Sequence, residues 1–396
     1  MSTQAIGSGM SGMSGMSGMS GMSGMSGMSG MSGMSGMSGM SGMSGMGDRA
    51  GNYDGTTAVG ILIARDGIMG AWKGATLDPV ERSEDKAENL ADWSQAVRVQ
   101  TLLQELVSDT AVRFEGGAAK VYSIASNFSA TPFASFTRPT QADFEAQLSL
   151  VRNYADLRGD RLPEILTQAG GITDYLGSVA GLHPGRRRYS YELMAITQVF
   201  ATQIVFRIKH MLACLRPDAY SAQIQPAIPT PGHGTLPSGH ATESFAQAVV
   251  LAHLMDAEMG QPSDRTHVDQ LMAQAARISI NRHVAGVHFP VDSIAGAMLG
   301  LLLGQYMVAR AKPSGNPTVP SASFSGTKSA GGGVPVDFEV APYLSASGNN
   351  PLVAPPQIDG QGGDVIVAVD PNPVAVNKSE LLEFMWGKAL SEWTAR

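Results

Sequence analysis

The histidines of this chain are grouped in one stretch, among turn residues and cations that could do chemistry. All eight lie within residues 183–288, and two of them, His233 and His240, flank the sequence GTLPSG. There, Ser238 and Gly239 precede a helical pattern. The N–H groups that open a helix favour an anion, and glycine lets a ligand approach the backbone closely. This turn predicts an anion site at which His240 can give or take a proton.

Two cations lie upstream, at the end of a strongly apolar helical pattern. Lys209 and Arg216 are seven residues apart, and Pro217 follows at once. At about 100° per residue, this spacing places both side chains nearly on one face of a helix. On a solvent-exposed face, such a pair would indicate no binding site. At the end of an apolar helix, however, two cations need an anionic partner.

The third segment is NRHVAGVHFPVD, which ends at the start of another predicted helix. Arg282 offers a planar fork of donors for an oxyanion. Asp292 follows His288 by four residues, where its carboxylate can hold one imidazole nitrogen and leave the other as a nucleophile or ligand. Together, the three segments predict a pocket for a tetrahedral oxyanion, with a nucleophile on one side and an acid on the other.

In this order and spacing, the segments resemble the signature of type 2 phosphatidic acid phosphatases, class A bacterial acid phosphatases and vanadium-dependent haloperoxidases. The matching pattern runs from Lys209 to Asp292: Lys, six residues, Arg-Pro; then Pro-Ser-Gly-His; then Arg, five residues, His, three residues, Asp. One departure is Asn281, where many members have Ser. The resemblance implies a helical-bundle fold.

The resemblance also implies a role for each matching residue. His288 would attack phosphorus or act as the axial ligand of vanadium. His240 would be the general acid–base, and Asp292 would orient His288. The residues implied to bind the oxyanion are Lys209, Arg216, Ser238, Gly239 and Arg282.

One such pocket can serve two reactions. Phosphoryl transfer passes through a five-coordinate arrangement with negative charge on three equatorial oxygens, which buried cations stabilise. Vanadate adopts that geometry as a stable species. Ligated by His288, it would be a Lewis-acid cofactor that activates hydrogen peroxide to oxidise halide. A phosphatase would need no cofactor and would form a phosphohistidine intermediate on His288.

Four sequence features bear on this choice. Six membrane-spanning helices, as in the lipid phosphatases, are not predicted, and the N-terminus lacks a secretion signal, although class A acid phosphatases are typically periplasmic. His233 stands seven residues before His240, the offset at which algal bromoperoxidases have His and chloroperoxidases have Phe. Against the redox function, Phe206 stands three residues before Lys209, where haloperoxidases commonly have Trp.

The function favoured by these features is that of a soluble, cytoplasmic enzyme, most like a bacterial vanadium haloperoxidase-related protein, with a preference for bromide. Two alternatives stay open. One is a soluble acid phosphatase acting on a small phosphoester. The other is a non-catalytic helical scaffold that kept the pocket by descent.

Composition limits the partners. The net charge of −7 gives no general attraction to nucleic acid or anionic membranes. Cys214 is the only cysteine, which excludes an intramolecular disulfide. The most apolar run begins at Ile294 and is too short and interrupted to span a bilayer, which takes about 20 apolar residues. It predicts a buried core helix.

Helical patterns dominate the chain, which predicts an all-α fold. Residues 1–47, largely a Met-Ser-Gly repeat, are predicted to be a disordered tail. A helical catalytic domain should occupy 48–311, with the anion site within 209–292. Residues 312–396 should form an irregular Gly/Pro-rich arm with a terminal helix. This arm would pack on the core or on a neighbouring subunit, which suggests a homo-oligomer.

Overall fold

The computed structural model describes residues 55–71, 74, 80–260, 265–312, 315–328, 335–360 and 364–394. The tail predicted over residues 1–47 lies outside the described residues. The α-helices are α1 (Gly55–Ile68), α2 (Gln95–Ser108), α3 (Gln141–Tyr154), α4 (Arg158–Gly170), α5 (Thr173–Ala180), α6 (Arg188–Leu212), α7 (Pro217–Tyr220), α8 (Gly239–Met259), α9 (Thr266–Val284), α10 (Pro290–Ala311) and α11 (Glu380–Thr394).

The prediction of an all-α fold is wrong, because a six-stranded mixed sheet packs beside the helices. Its strands are β1 (Thr110–Glu115), β2 (Ala118–Ile124), β3 (Ala130–Thr137), β4 (Thr318–Phe324), β5 (Ile358–Asp359) and β6 (Val365–Ala375). They lie in the order β1-β2-β3-β4-β6-β5. All pairs are antiparallel except β3 with β4, which run parallel with Ala134 opposite Ala322.

The first hairpin has a clear local cause. Gly116 and Gly117 both have positive φ and join β1 to β2, with Glu115 opposite Ala118. A two-residue turn of this kind requires left-handed backbone at both positions, which glycine adopts without steric cost. The Gly-Gly pair between two short apolar runs was therefore a hairpin signal in the sequence.

The segment from residue 312 is more regular than predicted. It supplies three of the six strands, and the terminal helix α11 packs on α6 of the same chain. Trp393 donates its indole N–H to Ser190 Oγ at 2.9 Å, and its ring lies 3.5 Å below the guanidinium carbon of Arg187. The carboxylate of Glu392 accepts from the backbone N–H groups of Tyr189 and Ser190 at 2.9 Å each. It thereby satisfies donors that open α6.

The centre of the molecule is the α8–α10 pair. Three glycines of α10, each four residues after the last, bring its backbone against α8. A Cβ on Gly296, Gly300 or Gly304 would lie within 2.8 Å of a backbone oxygen of the Ser238–Ala246 segment. This helix, Pro290–Ala311, is the one described helix that is long and apolar enough to cross a membrane, and its apolar window is buried within the protein.

The first described segment of the chain is helical. Residues Gly55–Ile68 form α1. None of the residues of α1 is buried, so this helix takes no part in the core.

Candidate active site

Lys209 and Arg216 contact the same loop, but the prediction that they share one helix face is wrong, because Arg216 lies beyond the end of α6 in extended backbone. The helix ends at Leu212 because Ala213 adopts a left-handed conformation. Lys209 Nζ donates to the carbonyls of Gly234 and Thr235, at 2.7 and 2.8 Å. Arg216 Nε donates to the carbonyl of His233 at 3.0 Å. Both cations are buried and hold the loop before the Pro-Ser-Gly turn.

The Pro-Ser-Gly turn is fixed from two sides. Ser238 Oγ accepts from Ala241 N as the N-cap of α8, and Ser238 N donates to the carbonyl of Asp292 at 2.9 Å. Gly296 packs directly beneath, since a Cβ there would lie 2.7 Å from the Ser238 carbonyl oxygen. Gly239 and His240 follow at the half-buried start of α8. The first-turn N–H groups of a helix are suited to an anion.

His288 is oriented by two buried side chains. Its Nδ1 lies 3.0 Å from Asp292 Oδ2 and 3.2 Å from Thr235 Oγ1. The hydroxyl of Thr235 donates to Asp292 Oδ2, which also accepts from Phe289 N at 2.9 Å. Because Nδ1 faces a carboxylate, it carries the proton, and Nε2 keeps its lone pair. That Nε2 lies 3.3 Å from Arg216 Nη1.

The protonation state of His288 follows from its surroundings. Burial lowers the pKa of His288 well below its usual value, and the charges of Arg216 and Lys209 lower it further. The imidazole is therefore neutral in the unliganded protein at ordinary pH. A neutral imidazole can act as a nucleophile or a ligand.

Arg282 is held by a residue outside the sequence motif. Its Nη2 donates at 3.2 Å both to the carbonyl of Ile165 and to Gln168 Oε1. Gln168 Oε1 also accepts from Asn281 Nδ2 at 3.0 Å. Two buried donors, Arg282 Nε and Gln168 Nε2, have no hydrogen-bond partner among the described residues. Both are suited to oxygen atoms of a ligand.

The same glutamine also places His240. The Nε2 of His240 lies 3.0 Å from the carbonyl oxygen of Gln168, so this nitrogen carries the proton and Nδ1 is the open base. Burial lowers the pKa of His240 to about 3, and the charge of Arg282 adds to this effect. His240 is therefore neutral here, and a bound anion would raise its pKa toward a working range.

His233 lies at the exposed rim of the cluster. Its Nδ1 is 3.1 Å from Arg216 Nη2, and its ring meets Phe206 edge-on with centroids 5.1 Å apart. Phe206 is 42% exposed, so the aromatic ring borders the opening rather than the core. The sequence placed both residues near the pocket, and the structure puts them side by side.

The fully buried charges do not balance. Arg216 and Arg282 are buried guanidinium groups, and Asp292 is the fully buried carboxylate that faces them within the described ranges. Lys209 is also buried, and its burial together with the charge of Arg216 lowers its pKa well below the usual value. Burial lowers the pKa of each arginine to about 10, which leaves both charged at neutral pH. Buried cations without a counter-charge are costly. A tetrahedral oxyanion would supply the missing negative charge.

The structure brings all nine sequence-predicted residues into one region, linked by direct contacts or through a shared neighbour. Sequence reasoning missed two further residues, Thr235 and Gln168. Thr235 lies within the motif stretch, five residues before His240, and could have been considered as a donor to Asp292. Gln168 precedes the motif by more than forty residues, and no local pattern marks it.

Comparison with known proteins agrees with this region. Residues 190–314 match the family model of the PAP2 superfamily, less than half of the chain but all nine predicted residues. Members of that superfamily are generally enzymes, and they include phosphatases and haloperoxidases. The match supports the superfamily and does not distinguish the two activities. No curated protein matches this chain.

Proposed function

We propose that this chain is a vanadium-dependent haloperoxidase-like enzyme that oxidises halide, bromide in preference, with hydrogen peroxide. The observation that carries the proposal is the excess of buried positive charge around a neutral, oriented His288. Such a pocket requires a resident anion for its own stability. An anion that stays bound fits the role of a cofactor better than that of a substrate, which is released after each turnover.

The residues fit vanadate as that anion. Its oxygens could accept from the buried and unpartnered Arg282 Nε and Gln168 Nε2, and from the cations Lys209 and Arg216. His288 Nε2 is the nitrogen that would ligate the metal. When bound, vanadate would supply Lewis acidity toward peroxide.

The protein's own groups have separate tasks in this proposal. Asp292 and Thr235 keep the proton of His288 on Nδ1, so that Nε2 stays a ligand. His240 Nδ1 can take a proton, because Nε2 is committed to the Gln168 carbonyl. His233 and Phe206 border the opening through which halide would enter.

An acid phosphatase is the second candidate. Phe206 favours it, because haloperoxidases commonly have Trp at this position. In that reaction His288 Nε2 would attack phosphorus, the bond from phosphorus to the ester oxygen would break, and His240 would protonate the leaving alcohol. Water would then hydrolyse the phosphohistidine, with His240 as the base.

Paired assays on one purified protein separate the candidates. After incubation with orthovanadate, bromination of a phenol dye is followed with bromide and peroxide. Hydrolysis of p-nitrophenyl phosphate is followed without vanadate. We expect vanadate-dependent bromination that is lost in His288→Ala. Ester hydrolysis that vanadate inhibits, with no bromination, would reject the haloperoxidase function and support the phosphatase.

A further inference from the structure

A carboxyl group that neither reaction uses stands beside the anion turn. Glu243 is one helical turn after Gly239 on α8 and is half-buried. Its Oε1 lies 3.7 Å from the position that a Cβ on Gly239 would occupy. The carboxyl group therefore overlies the residue whose N–H opens the anion site.

Side chains of α6 fix this group in place. Thr202 Oγ1 donates to Glu243 Oε1 at 2.8 Å, and Gln198 Nε2 donates to Oε2 at 3.2 Å. Gln198 is held in turn, since its Oε1 accepts from Gln247 Nε2 at 3.3 Å. Thr173 of α5 donates to Gln247 Oε1 at 3.1 Å. The network spans three helices, so Glu243 cannot swing away from the turn without breaking it.

This placement is unfavourable for a site that binds an anion, if the carboxyl group is ionised. Two negative charges at short range repel each other strongly in a poorly hydrated pocket. Partial burial raises the pKa of Glu243 to about 7, although the hydrogen bonds from Thr202 and Gln198 and the charge of Lys209 act in the opposite direction. Near neutral pH, the group therefore changes between a repelling and a neutral form.

Charged and titratable groups reach this region from each side of the pocket. On α6, the charge of Lys209 acts on Glu243 and lowers the pKa of its carboxyl group. His240 lies on the same helix as Glu243 and is neutral. From α9, the charge of Arg282 lowers the pKa of His240. At the start of α10, the carbonyl of Asp292 accepts from Ser238 N, and its carboxylate pairs with His288.

We propose that Glu243 makes anion binding proton-linked, so that the pocket takes its oxyanion together with a proton held on the Glu243 carboxyl. In the loaded state the group is neutral and does not repel the anion. This inference deepens the proposed function and rests on its oxyanion site, whichever of vanadate or phosphate is the natural occupant.

The sign of the pH dependence follows. Below about pH 7, Glu243 is already protonated, and its charge does not oppose the anion. Above that pH, the unliganded group is ionised, and each binding event must take up a proton. Linkage then lowers the affinity by about tenfold per pH unit.

The test uses tungstate, a tetrahedral dianion that keeps one charge state at neutral and mildly alkaline pH, whereas a phosphate group titrates at about pH 6 and would overlap with Glu243. Dissociation constants are measured across this range by calorimetry, in buffers of different ionisation enthalpy that report proton uptake. We expect wild type to lose affinity above about pH 7 and to take up a proton on binding. Glu243→Gln should lose both effects and bind more tightly than wild type at high pH.

Two further variants sharpen the result. Thr202→Val removes a hydrogen bond that favours the ionised form, so the break in the pH profile should move upward. Glu258→Gln, about 22 Å further along α8 at 1.5 Å per residue, should keep the wild-type profile. If Glu243→Gln retains the wild-type slope and proton uptake, the inference is wrong, because His240, Lys209 or Asp292 then carries the linkage. If tungstate binds at no pH to any variant, the oxyanion site itself is rejected.

Discussion

Most of the residues of the candidate site could be predicted from the sequence, because they occur in three short segments with defined spacing. The motif spacing identified Lys209 and Arg216, but a shared helix face is not the reason they meet, because α6 ends at Leu212 and Arg216 lies beyond it. Asp292 does reach His288 across one turn. Gln168 and Glu243 could not be found in this way. Gln168 is placed by the packing of α4 on α9, and Glu243 resembles any polar residue of a helix until its neighbours are known.

The Asp292 carboxylate should control both the rate and its pH dependence. Burial raises its pKa, while the hydrogen bonds from Thr235 and Phe289 lower it. Only the ionised form accepts the proton of His288 Nδ1. Activity should therefore fall as the pH is lowered through a value above the ordinary aspartate range.

Asp292→Asn should reduce kcat about 10- to 100-fold, as loss of a group that orients a ligand does, and should remove this acid limb. The measurement is kcat against pH for both proteins. If kcat of Asp292→Asn falls at low pH as it does in wild type, the titrating group is not Asp292 and the prediction is wrong.

At the scale of elements, the glycine row of α10 sets the position of the pocket. A Cβ on Gly300 would lie 2.5 Å from the Thr242 carbonyl and 2.8 Å from Phe245 Cβ. We expect Gly300→Ala to cost about 1–3 kcal/mol of stability, because the two helices must separate. Gly296 belongs to the same row of glycines and packs against Ser238. Moving α10 away from α8 should therefore also displace the Pro-Ser-Gly turn and weaken anion binding.

The control is Gly387→Ala on α11, where a Cβ would meet nothing within 4 Å. This substitution should stabilise the protein by about 0.5–1 kcal/mol, since glycine is a poor helix former. Denaturant unfolding of both variants provides the comparison. If both substitutions change the free energy of unfolding equally, close packing of α10 on α8 does not explain the effect of Gly300→Ala.

The elements differ in how far local sequence specifies them. The helices around the motif have strong apolar periodicity, and caps or prolines mark their ends. The sheet was missed because it unites distant segments. The β3–β4 pair joins Ala134 to Ala322, and no local pattern predicts a pairing between strands that are so distant in the sequence.

At the scale of the whole molecule, the segment after residue 312 is part of the fold around the site. Trp393 is buried against α6, the helix that carries Lys209. We expect Trp393→Ala to lower stability by about 3–5 kcal/mol, because a large buried ring and its hydrogen bond are lost. Anion affinity of the fraction that stays folded should be unchanged, since Trp393 packs at the start of α6 and Lys209 lies near its end.

Denaturant unfolding and tungstate binding test these two expectations separately. A loss of affinity without a loss of stability would mean that α11 acts on the site rather than on the fold.

The central claim is that buried, uncompensated cations around His288 hold a tetrahedral oxyanion. The most direct measurement is equilibrium dialysis of vanadate against wild type, Arg282→Met and Arg277→Met. Arg282 is buried in the pocket, whereas Arg277 is on the same helix, is 46% exposed and pairs with Glu164. We predict one vanadate per chain for wild type and for Arg277→Met. Arg282→Met should bind none and should be about 1 kcal/mol or more stabler than unliganded wild type. Wild-type protein that binds no vanadate, or Arg282→Met that binds it as tightly, would contradict the claim.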